Sequence, residues 1–100
     1  MFLEVESVSE ALESSRSGGA SVVLVRHEND MRRLLERFGI DGIRSIMSPR
    51  VTFPGGGSLN FAWRSSHLVG RRFNVLCDRG CKAALRELAL ERMDGVLDYG

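Results

Sequence analysis

The chain has 100 residues, 43% of them hydrophobic, and a formal net charge of +1, which suits one compact domain with its own core. No apolar run approaches the roughly 20 residues of a membrane-spanning helix, and two cysteines are too few for a disulfide framework. The opening MFLEVESVSE is acidic and lacks the basic and apolar regions of a signal peptide, so an intracellular, cytoplasmic protein without a membrane partner is expected.

Residues 7–16, SVSEALESSR, place Val8, Ala11 and Leu12 at helical spacing, with Ser7 as N-cap and Glu10 three residues on. Ser17, Gly18 and Gly19 end that helix. SVVLV (21–25) is a continuous β-branched run, the pattern of a strand covered on both faces. ENDMRRLLERF (28–38) sets Met31, Leu34, Leu35 and Phe38 on one face, and Gly39 stops it. IRSIM (43–47), closed by Pro49, reads as a short strand.

RVTFPGGGSLNFAW (50–63) reads as a hairpin. Val51 and Phe53 alternate with polar positions, Pro54 to Gly57 make the turn, and Leu59, Phe61 and Trp63 alternate again. Three glycines exceed what a minimal turn needs and suggest a mobile tip. RSSHLVGRR is a loop, FNVLC (73–77) a second buried strand, 80–93 a helix, and GVLDYG a last short strand. The order predicts a single α/β domain over 1–100. It is a small three-layer sandwich with a partly parallel sheet, an edge hairpin and about three helices.

Charge is unevenly spread. Glu4, Glu6, Glu10 and Glu13 make the first segment acidic, whereas no acid lies between Asp41 and Asp78, where Arg44, Arg50, Arg64, Arg71 and Arg72 all fall. Lys82 is the only lysine. Arginine forks suit phosphate contact, which makes Arg50, Arg64, Arg71 and Arg72 candidates for nucleic-acid binding. The competing reading is a solvated basic rim above a buried Leu59, Phe61 and Trp63 row, with some arginines paired to the acidic first helix. An exposed GGGSLNF edge would also allow a second copy to pair with it as a homodimer.

FNVLCD ends a strand on an acid, the position at which nucleotide-hydrolysing domains hold a magnesium ion. Residues 50–78 resemble the middle of the ATPase domain of phage terminase large subunits and related helicase-like motors. The glycine-bearing hairpin VTFPGGGSLNFAW, the LVGRR element and the strand ending at Asp78 carry the resemblance, and SVVLVRHENDMRRLLERF suits the strand and helix before them. The resemblance implies a nucleotide-motor core. Yet the loop G-x-x-x-x-G-K-[ST] is missing, and Arg79 stands where the family has its second acid. The expectation is therefore a reduced, phage-type remnant without ATP hydrolysis, binding nucleic acid or a host or phage protein. Asp78 alone also reads as a helix-cap acid.

CDRGCK (77–82) has the form C-x-x-G-x-[RK] and resembles the active loop of rhodanese-like sulfurtransferases. That resemblance implies Cys77 as a thiolate nucleophile at a helix N-terminus, in a loop shaped by Gly80 and Lys82. The Asp-x-Arg expected after the second strand is absent, where VLVRH stands instead. A buried, inert cysteine is the alternative. Cys77, Cys81, His27 and His67 have no recognisable zinc spacing, so neither metal nor cofactor is expected.

Overall fold

The computed structural model describes residues 2–93. They form β1 (Leu3–Val5), α1 (Val8–Arg16), β2 (Ala20–Leu24), α2 (Glu28–Phe38), β3 (Arg50–Thr52), β4 (Ser58–Ala62), a 3₁₀ turn (Ser65–His67), β5 (Val75–Asp78) and α3 (Ala83–Leu90). The five strands make one sheet in the order β1-β5-β2-β4-β3. The first four in that order are mutually parallel, and β3 pairs antiparallel with β4. The expected α/β sandwich is thus present.

Residue alternation assigns the layers. On one face α1 and α2 bring Val8, Ala11, Leu12 and Met31 against Val23, Val25, Leu59, Phe61 and Cys77. On the other, Leu85 and Ala89 of α3, with Leu68 and Phe73, cover Val22, Leu24, Ala62 and Leu76. The central strand β2 is buried throughout Ser21–Leu24, and each buried Val or Leu there contributes on the order of 2 kcal/mol. Ser21 is tolerated because its hydroxyl donates to the Ala11 carbonyl at 2.9 Å.

The helix ends follow the local chemistry. Ser7 caps α1 by accepting from the Glu10 N–H at 3.1 Å, and Gly39 ends α2 in the left-handed region at φ 62°. The hairpin lies at the sheet edge as expected, but its outer strand is β3. β4, which carries the SLNF expected to be open to a second copy, is paired on both sides by β2 and β3 and offers no free edge. One of the hairpin's glycines serves close approach: the Gly57 peptide lies against the Ser15 carbonyl. The Phe53 N–H donates to the Gly57 carbonyl at 2.9 Å, which closes the tip.

Three expectations need correction. IRSIM is not a strand: residues 41–49 are irregular, Ile46 and Met47 are exposed, and the Met47 N–H is taken by the Ser45 hydroxyl at 3.1 Å. The loop has to carry the chain from α2 to the far edge, and pairing begins where the Pro49 carbonyl accepts from the Phe61 N–H. The last helix starts at Ala83, not at residue 80, because Gly80 sits at φ 99° inside a turn. β1 was not expected at all. The GVLDYG segment lies outside the described residues.

The parallel strands all point their carboxyl ends at one edge of the sheet. From β2 the chain passes to α2 on one face, and from β4 it passes towards Leu68 on the other. A crevice therefore opens between the ends of β2 and β4, the place where open α/β sheets bind ligands.

Candidate functional site

Asp78 is fully engaged where it stands. One carboxylate oxygen accepts from the Gly80 and Cys81 N–H groups at 2.9 and 3.2 Å, and the other accepts from Arg86 at 3.1 Å. Arg86 reaches on to Glu4 of β1 with two bonds of 2.9 and 2.7 Å. Burial acts to raise the Asp78 carboxyl, but the Gly80 and Cys81 amides and Arg86 outweigh it and hold it below its ordinary value. Glu4 is held down chiefly by its hydrogen bonds from Arg86. The acid at the strand tip thus shapes a turn and ties α3 to β5 and β1. It caps no helix, since Lys82 occupies the N-cap of α3.

The cysteine loop has a different geometry from the one its resemblance implies. Cys77 points to the α1 side of the sheet while α3 packs on the opposite face, so its thiol is not at the N-terminus of α3. Burial pushes the thiol up to about 11 despite Arg79 nearby, and burial likewise pushes Cys81 up to about 11. Gly80 and Lys82 are exposed in the turn and at the start of α3. While it stays buried, Cys77 is held as the thiol at neutral pH. Alkylation with iodoacetamide at neutral pH, followed by mass spectrometry, is expected to modify Cys77 only as fast as the fold opens. Modification at the rate of free cysteine would restore the nucleophile reading.

Among the described residues no group of three or more His, Cys, Asp or Glu side chains is placed to hold a metal ion. His27 caps α2 from an exposed position, and His67 is buried on the 3₁₀ turn. Nor is any helix among them long and apolar enough to cross a membrane.

The arginines separate into distinct settings. Arg50 is paired opposite Asn60, so both side chains fall on the α3 side of the sheet, at its uncovered β3–β4 end. Arg71 spans this patch. It donates to Asn60 Oδ1 at 2.8 Å and to the Ser48 hydroxyl, while Asn60 in turn donates to the Ser21 carbonyl at 3.0 Å. Desolvation, and then repulsion from Arg50, lower the Arg71 pKa. Arg72 leans the other way, towards the Glu91 carbonyl at 3.4 Å. Arg64 follows β4 and is exposed; Arg64 and Arg71 both act on His67 between them.

Arg64 also edges the crevice at the carboxyl end of β2 and β4. This cleft of about 400 Å³ is lined by Val25, Arg26, Trp63, Arg64, Ser65, Lys82, Ala84, Leu85 and Leu88. Three cations ring it, and no carboxylate lines it. Arg26 was missed in the sequence. The carboxyl-end rule that singled out Asp78 also points to it, because it follows the most buried strand.

Elsewhere three arginines are matched, whereas Arg16, Arg37, Arg44, Arg79 and Arg92 form no ion pair among the described residues. Arg32 pairs with Glu28, Arg33 with Asp30, and Arg86 with Glu4 and Asp78. Among the described residues, Arg26, Arg50, Arg64, Arg71 and Lys82 form no ion pair, with α1 or with anything else. Searches against known protein families, curated proteins and solved structures find no match to this chain.

Proposed function

We propose that the chain is a non-catalytic binding domain that holds the phosphates of a nucleic acid along a track running from Arg50 through Arg71 to Arg64. The observation that carries this reading is the contrast in charge pairing. Arg32 and Arg33 on α2 and Arg86 on α3 are matched by carboxylates, whereas Arg50, Arg64 and Arg71 have none, and Arg50 acts on Arg71 as a like charge. Clustered, unmatched cations cost stability, and a polyanion supplies the missing charge through counterion release. Arg71 is already oriented by Asn60 and Ser48, so its remaining donors are presented with little entropy left to lose. The resemblance of residues 21–78 to a motor core without its phosphate loop agrees with binding in place of hydrolysis. The protein would then be phage-type and act in the cytoplasm.

The test uses Arg50 and Arg64, because both are exposed and neither side chain holds the fold together. Short fluorescent DNA is expected to bind with micromolar affinity at low salt, weakening steeply as salt rises. Arg50→Ala/Arg64→Ala should weaken binding about tenfold or more and flatten the log–log salt slope by about 1.4 to 1.8. Arg32→Ala, on α2, should leave both unchanged. Absence of binding at low salt would defeat the proposal in favour of an acidic protein partner, to be sought by pull-down.

A further inference from the structure

The cleft between β2, β4 and α3 is not needed for holding a backbone, and its lining is of another kind. Trp63, Leu85, Leu88 and Ala84 give it an apolar wall, while Arg26, Arg64 and Lys82 stand round it. Its volume of about 400 Å³ lies within the range of small-molecule sites. An apolar, partly aromatic slot bordered by cations is complementary to one nucleotide, whose base is flat and weakly polar and whose phosphate is anionic. A duplex cannot offer that shape, because its bases are stacked and paired. Arg64 belongs to both the cleft and the track, so a strand lying along Arg50 and Arg71 reaches the cleft without a break.

We infer that this cleft receives a single unstacked nucleotide unit of a bound strand, which makes the domain selective for single-stranded over double-stranded nucleic acid. The inference rests on the proposed phosphate track but is tested apart from it. Trp63 is the only tryptophan of the chain and lines the cleft, so its fluorescence reports occupancy directly. The obstruction is placed at Ala84, which is exposed in the first turn of α3. Phenylalanine is accommodated there by the helix and projects bulk into the cleft.

The experiment titrates the protein with a single strand of about twelve nucleotides, with a duplex of the same sequence, and with AMP. Affinity and Trp63 emission are both followed. The single strand should bind about tenfold more tightly than the duplex and quench Trp63. Ala84→Phe should abolish the preference and the quench while keeping duplex affinity. Equal binding of strand and duplex without quenching overturns the cleft assignment and leaves the track standing. Binding of neither overturns both. Quenching by AMP at the concentrations at which the strand quenches would overturn the strand assignment and make the cleft a site for free nucleotide.

Discussion

We expect Gly57→Ala to destabilise the chain by about 3 kcal/mol, the upper end for overpacking a well-packed site. A methyl group built at Gly57 would lie 1.8 Å from the Ser15 carbonyl oxygen and 2.9 Å from that of Gly19. Both obstacles are backbone, so no side-chain rotation relieves the clash. The hairpin would have to lift from the end of α1, and with it would go the Ser58 N–H bond to the Gly19 carbonyl at 3.0 Å. The contact of the Ser15 hydroxyl with the Ser58 carbonyl at 2.8 Å would go too. Gly56→Ala is the control. Gly56 has φ 88° and nothing within 4 Å of the added methyl, so only conformational strain of about 1–2 kcal/mol applies. Urea unfolding measures both. If Gly57→Ala costs no more than Gly56→Ala, the hairpin does not pack on α1 as described. The larger loss would take a large share of the 5–15 kcal/mol by which domains are usually stable.

That glycine also shows how far the sequence could be read. Three glycines at 55–57 signalled a turn, but a turn motif says nothing of what the turn packs against. The requirement at Gly57 comes from Ser15, 42 residues earlier in the chain. Local signals were legible wherever one residue set up its own neighbourhood. Ser7 capped α1, Gly39 stopped α2, and the buried run at 21–25 marked the central strand within one residue of its end. β1 had no such signal. It is three residues long, with Leu3 and Glu4 exposed and only Val5 buried, and it exists through pairing with β5 some seventy residues away. IRSIM failed for the opposite reason, having strand-like residues in a segment that pairs with no strand and runs as irregular chain from α2 to β3.

The candidate site was legible in its residue types and illegible in its grouping. An acid-free run of arginines is visible in one dimension. Nothing in it says that Arg72 turns away, that Arg71 is pinned to Asn60, or that Arg26 and Lys82 join Arg64 around one cleft. Those groupings depend on strand order, which here places β2 between β5 and β4. Asp78 teaches the same lesson. Its position at a strand tip was clear, but its partners Arg86 and Glu4 come from α3 and β1.

His67 gives the other large effect, and it joins stability to the proposed track. The buried ring accepts the Trp63 N–H at Nδ1, 3.2 Å away, and its Nε2 lies 2.9 Å from the Ile46 carbonyl. A carbonyl only accepts, so Nε2 carries the hydrogen and Nδ1 must be bare: the ring is neutral. Protonation would place a second hydrogen at Nδ1, facing the Trp63 N–H. Burial, opposed by the Ile46 bond and reinforced by Arg64 and Arg71, lowers the His67 pKa from its ordinary 6.5. A depressed value fixes the sign. The stabilisation is complete above the unfolded imidazole's value near 6.5 and is lost as pH falls from there through the folded value. His67→Phe keeps an aromatic ring but leaves the Trp63 N–H and Ile46 carbonyl without their partner, at about 3 kcal/mol for the two together. Urea unfolding should show that full difference at pH 7.5 and a smaller one at pH 5, because the variant has no imidazole to titrate. A constant difference across that range would mean that the ring is not held in its neutral form. Bound phosphate at Arg64 and Arg71 would screen the two charges that oppose protonation and raise the folded value towards 6.5, so added DNA should make the His67-dependent acid loss smaller, linking the clasp to the track on either side of it.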